Sequence, residues 1–215
     1  MGKKLYIMLI FIGIVFTVAS QEEPSGFLFR EFKDAKIYIA SSYTEAKVNY
    51  NVMDKQLYYL DTKDRTVKIV DNMMRIQIVK FDNRNFIPVP SGGLQEVLPT
   101  TPPIYIEYFP KVKRKGQQVG YGGTSELTSS TSPNYLFGRN GYILPDKQEL
   151  EVTRVTNCYW IEKNGKKKKF ANFKQLVKIY PGNKTVLDEY IKTNNVDFNN
   201  AEEIVNLCLY AENLN

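Results

Sequence analysis

Four successive lysines, Lys166 to Lys169, follow an Asn-Gly pair in EKNGKKKKF, and a second basic group, Lys111, Lys113, Arg114 and Lys115, closes IYIEYFPKVKRK. Clustered ammonium groups attract phosphate or carboxylate polymers, and Trp160, Tyr159 and Phe170 beside the run supply rings on which a base or sugar can stack. Strand alternation divides four lysines between two faces, and lysines on an edge also keep strands from pairing with neighbours. A solvated hairpin end therefore accounts for the run unless Lys111 to Lys115 lies beside it. The candidate binding surface is Lys111, Lys113, Arg114, Lys115, Tyr121, Trp160, Lys167 and Lys169.

Other chemistries find less support. The chain has no histidine, so the usual base for a serine or cysteine nucleophile is missing. Ser125 in YGGTSELTSSTS is not in a G-x-S-x-G elbow, and Gly122-Gly123 lacks the Lys-Ser/Thr end of a phosphate loop. Glu107, Asp146, Glu149 and Glu151 offer carboxylate pairs for glycoside hydrolysis, where separation in space decides. Two separated cysteines make no metal site, and DNRNF lacks calcium-loop spacing. No catalytic residue, cofactor or metal is expected. The expected class is a non-enzymatic binding or scaffolding module. The alternatives are a periplasmic hydrolase using carboxylates or a Ser-Lys pair, and a polyanion binder using the lysine clusters.

The elements that must position these residues begin after a leader. MGKKLYIMLIFIGIVFTVAS has two lysines, an uncharged apolar stretch and a small-residue end, the layout of a secretory signal cut after Ser20. The apolar stretch falls short of the ~20 residues that span a bilayer. Cleavage predicts a periplasmic or extracellular protein with no transmembrane anchor. The two lysines lost with the leader lower the formal charge from +6 to +4, too small an excess to argue nucleic-acid binding. The expected partner is an envelope protein or glycan. Cys158 and Cys208 allow one bridge in an oxidising compartment, while each also fits a buried apolar position, so pairing is left open.

Residues 21 to 115 read as a β-rich body. Short period-two stretches, AKIYIASSYTEAKVNYNV, QLYYLDTKDRTVKIVD, MMRIQIVKFDNRNFIPV and PPIYIEYFPKVKRK, are separated by polar turns, which favours an antiparallel meander. Tyr58, Tyr59, Tyr105 and Tyr108 serve either as core or as an exposed ring platform. Residues 116 to 142, rich in Gly, Ser and Thr, read as a long loop. Residues 143 to 215 read as a hairpin and a helical lobe on the same domain. Asn164-Gly165 suits a type I′ turn, whose register sets Glu162 against Lys167, Trp160 against Lys169 and Tyr159 against Phe170. Apolar spacing then predicts three helices, around Phe173 to Tyr180, around Val186 to Ile191, and around Ile204 to Ala211, the last opened by an Asn199-Glu202 capping box. The expected class is α+β: a curved or partly closed antiparallel β-meander, then a β-hairpin and three short C-terminal helices.

The NYN of Asn49 to Asn51, the YGGTSE of Tyr121 to Glu126, and YWIEKNGKKKKFANFKQLVKIYPGNKTVLDEYIKTNNVDFNNAEEIVNLCLY together resemble a group of exported proteins of unknown function from Bacteroidetes-type bacteria. The group shares a signal peptide, a β-rich body with an NYN strand, a YGGTS loop, and a lysine-rich hairpin followed by helices. The resemblance implies a cell-envelope location and no catalytic residue.

Overall fold

The computed structural model describes residues 26–114, 117–119, 123–125 and 150–214. Ten strands form one open antiparallel sheet that does not close into a barrel: β1 (Lys33–Ile39), β2 (Ser42–Asn51), β3 (Gln56–Leu60), β4 (Val67–Ile69), β5 (Ile76–Phe81), β6 (Arg84–Pro88), β7 (Leu94–Leu98), β8 (Ile104–Arg114), β11 (Leu150–Lys163) and β12 (Lys166–Phe170). A separate two-stranded ribbon pairs β9 (Gln117–Val119) with β10 (Gly123–Ser125). Three helices complete the chain: α1 (Phe173–Ile179), α2 (Lys184–Asn194) and α3 (Ala201–Asn213). The α+β reading holds. The stretch expected as a loop carries the β9–β10 ribbon, and the antiparallel meander runs in two sections, β1 to β4 and β5 to β8, joined where β5 pairs with β1.

That joint has a local cause. After β4 a 3-10 turn, Met73–Arg75, brings the chain back under β3, where buried Met73 accepts the Leu57 N–H on its sulfur at 3.2 Å. The returning strand β5 then meets the unpaired side of β1, setting Val79 against Ile37. Alternation separates two faces. The inner face carries Val48, Tyr50, Leu57, Val79, Phe86, Leu94, Ile106, Tyr159 and Phe170, all buried in one core with Leu176, Leu187, Ile204, Leu207 and Cys208 of the helices.

The sheet curls. Tyr50 on β2 accepts the Leu94 N–H of β7 at 3.2 Å, bringing together strands that lie four places apart in the sheet order. Gly93 makes this approach possible: its φ is +88°, and a Cβ there would stand 2.5 Å from the Tyr50 hydroxyl. Any side chain at 93 would drive the β2–β3 hairpin away from β7 and β8.

The hairpin expectation is met residue for residue. Asn164 and Gly165 take φ of 55° and 68°, and the register pairs Tyr159 with Phe170, Trp160 with Lys169 and Glu162 with Lys167. The helices also fall where the apolar spacing set them, with one correction at the third. Its N-cap is Asn200, not Asn199: the Asn200 side chain accepts from Glu202 N and donates to Glu203 Oε1 at 2.6 Å, which shifts the capping box by one residue. No described helix is long and apolar enough to cross a membrane.

Candidate binding surface

The outer face of β8, β11 and β12 gathers rings and ammonium groups into one strip. Along β8 the outward positions are Tyr105, Glu107, Phe109, Lys111 and Lys113, flanked across β11 by Trp160, Cys158, Thr156, Arg154 and Glu151. Across β12, Lys169 lies opposite Trp160, and Lys167 opposite Glu162. At about 3.3 Å per residue, Tyr105 to Lys113 spans about 26 Å.

Glu107 organises the middle of this strip. Its side chain is 10% exposed and lies 3.5 Å from Lys55 Nζ and 3.7 Å from Lys169 Nζ, and Trp160 Nε1 donates to it at 3.1 Å. Lys55 arrives from the β2–β3 turn, over the gap that Gly93 leaves open. Lys169 Nζ stands 4.6 Å from the Phe109 ring centre and 5.2 Å from that of Trp160, and Lys167 Nζ 3.6 Å from Tyr105. Ring faces hold cations by their quadrupole. These contacts draw the ammonium groups of Lys167 and Lys169 against the outer face.

The predicted residues therefore divide. Trp160, Lys167 and Lys169 come together around Tyr105, Glu107 and Phe109. Lys111 and Lys113 continue the same face, Lys111 opposite Arg154 and Lys113 paired with Glu151 at 3.4 Å. The hairpin tip itself is at the other end of β11 from Lys111, since Ile161 pairs with Ile104 and Leu150 with Arg114. What links the two basic groups is the reach of Lys169 along the strip, not the tip. Arg114 is placed only by its register partner Leu150, and Lys115 and Tyr121 lie outside the described residues. Sequence reasoning missed Lys55 and Phe109. Phe109 alternates with Glu107 and was readable as outward-facing, whereas nothing local ties Lys55 to a residue 52 positions away.

The remaining candidate chemistries separate in space. Glu151 pairs with Lys113, six residues along β8 from Glu107, or about 20 Å, beyond the ~5–9.5 Å of glycosidase carboxylate pairs. Glu149 and Asp146 lie outside the described residues. Tyr58 and Tyr105 face outward and Tyr59 and Tyr108 inward, so the four tyrosines form no common platform. Cys158 faces outward on β11 while Cys208 is in the core with α3, and both thiols are free. The sheet stands between them. Burial raises Cys158 to about 11, against the opposing pull of nearby Lys169, and burial raises Cys208 to about 12. Thiols held protonated at neutral pH are poor nucleophiles.

A second charged network lies on the inner face. Arg84 donates to both Glu96 oxygens, at 2.8 and 2.7 Å, and to the Tyr108 hydroxyl at 2.7 Å, and Tyr108 donates to Glu96. Burial, reinforced by Glu96, pushes the Tyr108 phenol far above its ordinary range. Arg84 also stacks over Phe29 and Phe86. Both Glu96 oxygens have donors, so this partly exposed cluster is satisfied within the chain. Set against family profiles, curated proteins and solved structures, the chain matches none.

Proposed function

We propose that the chain is an exported, non-enzymatic binding module of the cell envelope that takes an extended anionic polymer, an acidic glycan, along the outer face of β8, β11 and β12. The leader before Gln21 supports export, with cleavage after Ser20. One observation carries the ligand class: Lys169 stands against Phe109, Trp160 and Glu107, midway along the strip between Lys167 and Lys111. An elongated strip of cations beside rings fits a chain-like ligand bearing repeated carboxylates, which offers anionic groups to the lysines and sugar faces to Trp160 and Tyr105. A single small anion would leave most of the strip unused.

Calorimetric titration of the purified protein with polygalacturonate tests the reading. Expected is binding that weakens as ionic strength rises from about 0.05 to about 0.5 M, with no binding of neutral dextran and no shortening of the polymer. Equal binding of dextran, or none of either, contradicts it. Shortening of the polymer would replace it with the hydrolytic alternative.

A further inference from the structure

The far edge of the sheet, β4, carries a separate proposal. Among the described residues β4 has one strand neighbour, β3. Asp61 N donates to Thr66 O at 2.9 Å and Val70 N to Leu57 O at 2.8 Å, and the register pairs Tyr59 with Lys68. Antiparallel pairs alternate between bonded and non-bonded, so the backbone groups of Val67 and Ile69 turn away from β3 toward the open edge. Their side chains are 50% and 48% exposed, and Met74 just beyond is 63% exposed.

The segment RTVKIVD, Arg65 to Asp71, is complementary to itself when run antiparallel about Lys68. We infer that β4 pairs with β4 of a second copy across a two-fold axis at Lys68, extending the sheet from one chain into the next. In that register Val67 and Ile69 of one copy each exchange two backbone hydrogen bonds with Ile69 and Val67 of the other, four in all, and their side chains form one apolar row. Arg65, which turns at φ 56° just before the strand, and Asp71 just after it then flank the row on opposite copies at both of its ends. Both are exposed, and among the described residues neither is in an ion pair. Lys68, which meets its own copy at the axis, already has its charge matched: its ammonium lies 2.6 Å from Asp61 and 2.9 Å from Asp64. Like charge at the axis is thereby offset within each copy. A partner of a different kind would not need the two ends of the segment to carry opposite charges.

Sedimentation velocity on the full chain tests this, with variants that leave the fold alone because they change exposed side chains. The wild type should associate reversibly to a dimer with Kd of about 10 to 500 μM, as suits a small interface. Arg65→Asp and Asp71→Arg should each weaken association about tenfold, since each sets like charges together at both ends of the row. Mixed one to one, the two variants should recover association, because each heterodimer restores both opposite-charge pairs. A wild type that stays monomeric to about 1 mM, or a mixture no better than either variant alone, overturns the proposal.

Discussion

The two edges of the sheet solve the same problem in opposite ways. At one edge β12 presents Lys166 to Lys169, so a copy of itself would meet four like charges, and α1 packs against the strand from the side. Phe170 ends that strand fully buried and stacks on Tyr159 with ring centres 5.5 Å apart. At the other edge β4 is three residues long, presents Val67 and Ile69 half exposed, and is not backed by a helix as β12 is by α1. An edge that is charged and backed by helices is finished within the chain. An edge that is short, apolar and self-complementary is finished by another chain. Burial and charge therefore have to be read together: the lysines of β12 refuse a strand, and under the proposed function Lys167 and Lys169 also hold the ligand on the outer face.

The largest expected effect tests how far stability is concentrated at the helix-backed edge. Phe170→Ala removes a fully buried ring between β11 and the helices and should cost about 3 to 5 kcal/mol in urea unfolding. A loss below about 1 kcal/mol would mean that the helical lobe is not built on that edge.

Next in size is an alkaline effect at the same end. Cys158 and Cys208 have thiols raised from 9.0 to about 11 and about 12, and burial lifts the Tyr159 hydroxyl from 10.0 to about 12. The folded state therefore favours the protonated forms. Their contribution is whole below pH 9 and declines as pH rises through 9 toward 12. The thermal midpoint should stay level between about pH 7 and 8.5 and then fall, with hydrogen exchange opening α3 and β11 before β1 and β2. A flat midpoint to pH 11 would contradict the burial of both thiols.

The smallest effect belongs to the open edge. Ile69→Ala at dilute, monomeric concentration should change stability by no more than about 0.5 kcal/mol. A cost of several kcal/mol would show that β4 is packed against something and is not an edge at all.

How much of this was legible in the sequence follows the range of the interactions. The hairpin register was readable because a two-residue Asn-Gly turn fixes pairing by itself, and Glu162, Trp160 and Tyr159 took the partners the turn dictates. The helices were readable because their apolar stripes are local. The capping residue was off by one because Asn199 and Asn200 both suit a cap, and only the fit of Glu203 to Asn200 selects between them. The pairing of β5 with β1 was not readable, since it depends on a 3-10 turn that redirects the chain beneath β3. The lysines of the candidate strip were named from composition, but their organiser was not: Glu107 stood among possible catalytic carboxylates, and its link to Lys55 exists only because the sheet curls past Gly93.

In the proposed site Lys167 and Lys169 act with Lys111 and Lys113 as one strip. The direct measurement is the polygalacturonate affinity of three proteins: wild type, Lys167→Ala/Lys169→Ala and Lys111→Ala/Lys113→Ala. Each pair of substitutions should weaken binding about tenfold and flatten its salt dependence; Lys111→Ala/Lys113→Ala should leave the unfolding midpoint unchanged, whereas Lys167→Ala/Lys169→Ala should lower it, because Lys55 alone is then left beside the nearly buried Glu107. Wild-type affinity in either double variant would show that the two basic groups do not share a ligand, and would contradict the proposed site.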